Sequence, residues 1–398
     1  MQIRDHWQLN PDIDFLNHGS FGACPNIVLQ KQQDLMAELE RDPIRFLAPE
    51  RELTPKLDEV RQTISKLVNA PPSDIAFVRN ATDGVNAVLR SFPLKEHDQI
   101  LITNQGYNAC NNAARFVAEK ANAEVTVADI PFPLESDTDV MVAIEKKITS
   151  RTRLILIDHV TSPTGLIIPI EQVISLAHAK GIRVLVDGAH APGMMRLNLT
   201  AMAPDYYTAN HHKWLCGPKS SGFLFVQPEL QTEVRPNVIS HGANQDCSKR
   251  SRFLTEFAWT GTYDPTPLLA LPTAITFLET LYPGGLDQLY QLNHEATVKA
   301  RQVLCDALQT DFPCSNEMIG SMASVPMEAS RLTEHNLSWN ILQQKLVHEH
   351  RFELPVFQLR DSGECCLRIS MQAYNEANQI ERLASVLTQL TNPANLRK

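Results

Sequence analysis

Two histidines run directly into a lysine in Asn210-His211-His212-Lys213-Trp214. Adjacent side chains do not converge on one centre, and no carboxylate or third histidine stands at ligand spacing, so no metal site is expected. A lysine kept partly unprotonated by its setting could instead form a Schiff base with a carbonyl. A solvated lysine after a turn is the plain alternative. Asp187, in Asp187-Gly188-Ala189-His190, closes an apolar run. A buried acid there needs a positive or proton-bearing partner, such as a protonated heterocyclic nitrogen, unless it only caps a turn. Arg79-Asn80-Ala81-Thr82-Asp83-Gly84 leads into a helix. Its free N–H groups, the Thr82 hydroxyl and the positive dipole end suit a phosphate, or simply an N-cap. Tyr107 could lay its ring against a planar group or merely pack. Arg368 could take a carboxylate bidentately, or form a structural ion pair.

These residues need elements to hold them, and the apolar pattern supplies candidates. Short runs at 75–78, 99–103, 124–128, 153–158, 182–187 and 222–226 are rich in β-branched residues and Leu. Near-continuous runs of this kind fit strands buried on both faces, hence an α/β layered fold around a mostly parallel sheet. Between them, 82–90, 108–121, 137–148 and 170–180 read as helices, the last stopped by Gly181. Beyond about 285 the texture changes to amphipathic helices near 286–309, 335–350 and 376–391 around a short strand at 366–370, which suggests a small α+β domain. In open α/β sheets ligands sit outside the carboxyl ends of the strands. Asp187, Tyr107 and the 79–84 turn each follow a predicted strand.

The composition narrows the function classes. Lys plus Arg total 36 against 45 Asp plus Glu, a net charge of -9, so no electrostatic case exists for nucleic acid or anionic lipid. The opening MQIRDHWQLNPDIDF lacks the apolar core of a signal peptide, and no run approaches the roughly 18 apolar residues of a membrane span. The 8 cysteines include no C-x-x-C pair, which argues for free thiols and a cytoplasmic location.

An acid, a lysine, a phosphate cradle and a carboxylate binder, at predicted strand ends or the domain junction, together describe a site for pyridoxal 5'-phosphate. The chain also resembles the fold type I pyridoxal-phosphate enzymes of aminotransferase class V, in the isopenicillin N epimerase-like branch. The stretches that carry the resemblance are FLNHGSFGACP (15–25), NATDGVNAVLR, DGAHAPG, NHHKWLCGPKSSGFLFV, FAWTGTYDPTP and CLRISMQAYN (366–375). It implies a large cofactor-binding domain over 20–284 with a mostly parallel seven-stranded sheet. A small α+β domain would comprise 285–398 with the 1–19 segment. It further implies Lys213 as the Schiff-base lysine, Asp187 on the pyridine nitrogen and His190 on the phenolic oxygen. Ala81, Thr82 and His212 match phosphate contacts, Tyr107 the stacking position, and Arg368 the arginine for the substrate's α-carboxylate, with Asn17 and His18 nearby. Thr262 matches a residue that reaches the phosphate across a dimer interface, which implies a homodimer.

Two departures bear on the activity. Ser162, in HVTSPTG, stands where many class members have an asparagine beside the ring. The cysteine desulfurases carry a nucleophilic cysteine on a loop upstream of the carboxylate arginine, whereas here 350–357 has none and Cys365 and Cys366 fall within the strand itself. Persulfide chemistry is therefore disfavoured. The expected reaction begins with loss of the Cα proton of a bound amino acid, with Lys213 as base. Epimerisation is the first expectation, with Tyr107 or His18 as a second acid. C–S β-elimination from a cysteine derivative, as in the hercynylcysteine sulfoxide lyases, is the alternative, with transamination behind it. A silent cofactor-binding protein is the non-enzymatic reading.

Overall fold

The computed structural model describes residues 2–328, 337–359 and 363–391. Seven strands form the central sheet: β2 (Ile75–Val78), β3 (Gln99–Thr103), β4 (Glu124–Ala128), β5 (Thr152–Asp158), β6 (Arg183–Asp187), β7 (Tyr206–Asn210) and β8 (Gly222–Val226). Their spatial order is β2-β8-β7-β6-β5-β3-β4, and only β8 runs antiparallel to its neighbours. The carboxyl ends of β2, β3, β5, β6 and β7 therefore share one edge of the sheet.

The near-continuous apolar runs are explained by helices on both faces. Ile155, Ile157, Val184 and Val186 join one core, with the helices Thr54–Val68 and Ile170–Ala179. Leu154, Leu156 and Leu185 alternate into the other, under Ala81–Ser91 and Asn108–Lys120. The two-residue alternation of strand side chains divides each run between the faces. Burial of each such side chain contributes about 2 kcal/mol. Gly84 lets the first of these helices lie close on the sheet, since a Cβ there would stand 2.1 Å from Thr208 Oγ1.

A second, antiparallel sheet has the order β11 (Val356–Gln358), β12 (Cys365–Ser370), β9 (Met322–Met327), and Arg368 pairs with Ser324 in its register. The helices Gly285–Leu308 and Ala377–Thr391 cover it. The amino-terminal strand β1 (Asp14–Phe15) pairs with β10 (Phe352–Glu353), and Asn17 bridges to Ser370. That pairing lays residues 17–22 between the two sheets, beside Arg368. The helix expected near 335–350 is present over Trp339–His348, and residues 335 and 336 lie outside the described residues.

Candidate active site

Residues from five strand ends and from the 17–22 segment line a cavity of about 300 Å³. Lys213 follows β7, and its residue is only 9% exposed. Burial pulls its amine down from 10.5 to about 8; Asp187 opposes the fall and Arg368 adds to it. Nζ lies 2.9 Å from His190 Nε2, and the Trp214 indole N–H points at His190 Nδ1 at 3.4 Å. An imidazole that accepts at Nδ1 and is kept neutral carries its proton on Nε2. Burial, with Lys213 and Arg368 nearby, holds His190 well below the usual histidine range, so this tautomer can offer Nε2–H to the lysine or to a ligand oxygen.

Asp187 ends β6, 3% exposed, and its carboxylate accepts from the Cys110 thiol at 3.1 Å and the Ala189 N–H at 3.0 Å. Burial raises its pKa, while the thiol, the amide and Lys213 pull the other way. Beside it on β5 stands a second buried acid, Asp158, which burial and Asp187 hold well above the carboxylate range.

The other walls are polar and incompletely paired. Asn80 caps the Ala81–Ser91 helix by accepting from Asp83 N. Ala81 N–H donates to Asn210 Oδ1 at 2.9 Å, so the expected phosphate contact through Ala81 is corrected: its amide is already spent. The Thr82 amide makes no hydrogen bond among the described residues. His212 Nδ1 is buried without a partner among the described residues. Burial, with Lys213 and Lys219 close by, holds its ring at about 4. His211 faces away from the cavity, packed against Phe223 at 5.8 Å. Tyr107 lines the cavity, 44% exposed.

Arg368 is buried, yet its described partners include no carboxylate. It donates to the Ser162 carbonyl, to Asn17 Oδ1 at 3.3 Å and to Ser20 Oγ at 2.9 Å, and its Nε has no partner among the described residues. Burial lowers it to about 10. Ser20 and Ser162 line the cavity and Arg368 does not, so the guanidinium stands behind the wall that its two partners form. A desolvated cation held only by neutral acceptors is suited to an incoming anion. Asn17 does not line the cavity; it steadies this arginine and donates to Glu353 at 3.1 Å.

His18 requires a second correction. It is fully buried, Nδ1 meeting the Tyr374 hydroxyl at 2.8 Å and Nε2 the Lys213 carbonyl at 3.0 Å, and burial drives it to about 3. With both ring nitrogens committed it can neither touch a substrate nor serve as a second acid. It braces the lysine's backbone instead. Gly22 presses against the same stretch of backbone, since a Cβ there would meet the His212 carbonyl at 1.9 Å and its φ is +68°. His18→Ala is expected to cost about 3 kcal/mol in chemical denaturation, because it opens a cavity and strands two buried polar groups.

Thr262 is exposed and absent from the cavity wall of its own chain. Cys365 and Cys366 are buried in β12, as the sequence suggests. A separate cavity of about 230 Å³, lined by residues such as Arg61, Phe77 and Tyr263, includes none of Lys213, Asp187 or Arg368. Among the described residues there is no cluster of ligands for a metal, and no helix is long and apolar enough to cross a membrane.

Sequence reasoning missed Asp158, Cys110, Asn210 and Ser20. Asp158 had a usable signal, because it closes its strand as Asp187 closes the next one. Cys110 and Ser20 gave none, being brought in only by helix and segment packing.

The residues present fit pyridoxal phosphate. A buried acid can face a ring nitrogen, a lysine of lowered pKa can capture an aldehyde, and an open helix N-terminus with a His212 nitrogen unpartnered among the described residues can meet a phosphate. The comparisons agree. The aminotransferase class-V model matches residues 22–383. Isopenicillin N epimerase of Streptomyces clavuligerus is 31% identical, over 98% of this chain and 98% of its own. An L-cysteine desulfhydrase of Arabidopsis thaliana is 27% identical, over 94% and 87%. A solved C-DES variant with glycine linked covalently to its pyridoxal-phosphate cofactor superposes with a TM-score of 0.82 at 19% identity, covering 98% of this chain and 99% of that one. The fold is thus the fold type I architecture, and the chain belongs to aminotransferase class V, a family of pyridoxal-phosphate-dependent enzymes.

Proposed function

We propose that the enzyme is a C–S β-lyase acting on a cysteine derivative, with Lys213 as its single base. The observation that carries this reading is the commitment of His18: of the two expected second acids it is locked away, leaving one buried amine of lowered pKa at the centre of the site. Elimination needs only that amine. Relatives named as cysteine desulfhydrases support the same reading.

In this proposal Asp187 faces the pyridine nitrogen, His190 the phenolic oxygen, Tyr107 the ring, and Thr82 with His212 the phosphate. Thr262 of a second copy would complete the phosphate contacts in a homodimer. The 20–284 and 285–398 units, the latter with 1–19, would act as two domains, and free thiols favour a cytoplasmic location. When bound, the cofactor supplies a carbonyl for the substrate amine and a ring that takes up charge as bonds at Cα break. Arg368 holds the α-carboxylate, and Asn17 and Ser20 hold Arg368. Lys213 removes the Cα proton, and the C–S electron pair leaves with sulfur, which is protonated to the thiol. Overall, one cysteine conjugate and one water give one thiol, one pyruvate and one ammonium ion.

Epimerisation remains the second reading because of Tyr107. Burial, with Cys110 and Asp187 close by, raises the phenol's pKa and keeps it a proton donor at the cavity wall. One assay in deuterated water separates the two. Thiol and pyruvate released in equal amounts from S-substituted cysteines, with the remaining substrate's configuration intact, are expected. Inverted substrate without pyruvate, abolished by Tyr107→Phe, would overturn the lyase reading.

A further inference from the structure

Phe21 is the most exposed of the large apolar side chains that line the active-site cavity, at 72% against 44% for Tyr107. A lone exposed phenylalanine is ordinary on a protein surface. This one stands in the cavity wall and joins none of the hydrophobic clusters formed by the described residues. It also directly follows Ser20, whose Oγ accepts from Arg368 at 2.9 Å. We propose that Phe21 is a specificity-determining residue: its ring receives an apolar substituent carried on the sulfur of the substrate. That the substituent hangs from sulfur rests on the β-lyase reading, whereas its apolar character rests on Phe21 and the segment that holds it.

The ring is exposed on a backbone that is tied down on both sides of it. His18 meets the Lys213 carbonyl at 3.0 Å and the Tyr374 hydroxyl at 2.8 Å, and the Gly19 N–H donates to Ser370 Oγ at 3.2 Å. Ser20 Oγ donates to Asn17 Oδ1 at 2.6 Å. Gly22 N–H closes the turn on the His18 carbonyl at 2.8 Å, and Lys219 Nζ donates to the Gly22 carbonyl at 3.2 Å. A phenyl ring with two side-chain torsions on such a backbone loses little freedom when a ligand covers it, and the cover removes apolar surface on both partners from water. The other groups of the wall already have work: the cofactor takes Asp187, His190, Tyr107, Thr82 and His212, and the carboxylate takes the Ser20 and Ser162 side with Arg368 behind it. Lys219 also lines the cavity and would favour an anionic substituent instead. Its residue is exposed, however, and an ammonium in water gains little from one more charge, whereas an exposed phenyl gains from every apolar atom that covers it.

Holoenzyme is titrated, by absorbance, with three thioethers of α-methylcysteine that differ only at sulfur: S-benzyl, S-methyl and S-carboxymethyl. None has a Cα proton, so none turns over by either reading. The wild type is expected to bind the S-benzyl ligand about thirtyfold tighter than the S-methyl one, and Phe21→Ala to bring that ratio below about fivefold. Phe21→Leu, apolar but smaller, should recover part of the preference. A wild type with no preference, or a preference that survives Phe21→Ala, overturns the proposal. Tightest binding of the S-carboxymethyl ligand also overturns it and hands the substituent to Lys219. Equal loss of all three ligands in Phe21→Ala does the same, since the ring would then serve only the shape of the 17–22 segment. Pyruvate release from the parent S-benzyl- and S-methylcysteine is measured in parallel. No pyruvate from either, with the Phe21-dependent preference in place, sinks the lyase reading and keeps Phe21 as the seat of an apolar side chain.

Discussion

Lys213→Ala is expected to abolish the yellow, borohydride-sensitive absorbance of the cofactor-loaded protein and to cut turnover by about 10⁴-fold. One atom, Nζ, is assigned both to the covalent capture of the cofactor and to the proton at Cα, so no neighbour inherits the work. His190 touches it at 2.9 Å but is held neutral, with its Nδ1 already facing Trp214. Capture itself should depend on pH in a direction that burial dictates. The amine's folded-state pKa is depressed from 10.5 to about 8, so the nucleophilic free base grows as pH rises through 8. Stopped-flow capture of pyridoxal phosphate by the cofactor-free protein should accelerate with a midpoint near 8. A midpoint near the ordinary lysine value would show that the site does not tune this amine.

The sheet was legible because its strands are buried on both faces, and continuous β-branched runs stand out against the chain. The runs at 75–78, 99–103, 124–128 and 222–226 coincide with β2, β3, β4 and β8. The seventh strand, Tyr206-Tyr-Thr-Ala-Asn210, was not located. Its burial rests on aromatics and on polar residues with internal partners, such as Thr208 donating to the Phe223 carbonyl at 2.9 Å. Polar residues at predicted strand ends marked Asp187 and Tyr107, since a cavity forms where helices cannot cover the sheet edge, whereas Lys213 follows the strand that the pattern does not show. His18 was misjudged for a related reason. Whether an imidazole faces a cavity or a neighbour's carbonyl depends here on Tyr374, which is distant in sequence. Ala81 failed similarly, because Asn210 reaches its amide only once β8 has paired with both β2 and β7.

Arg368→Leu should lower kcat/KM for an amino-acid substrate about 10²-fold, chiefly through KM, because a charge-assisted fork to a carboxylate is worth about 3 kcal/mol. Arg368→Lys should recover only part of this, since it keeps the charge but not the planar fork. Arg368 also acts on the lysine. Its positive charge helps hold the Lys213 amine and the His190 ring low, so its loss should raise the Lys213 pKa and move the midpoint of cofactor capture upward from about 8. The incoming carboxylate would do the same by neutralising the guanidinium. Substrate binding then shifts Lys213 toward a stronger base at the step that demands one. A carboxylate ligand such as propionate should therefore raise the capture midpoint in the wild type and leave it unmoved in Arg368→Leu. If propionate moved both alike, the coupling between the two cations would be absent and Arg368 would be a binding group alone.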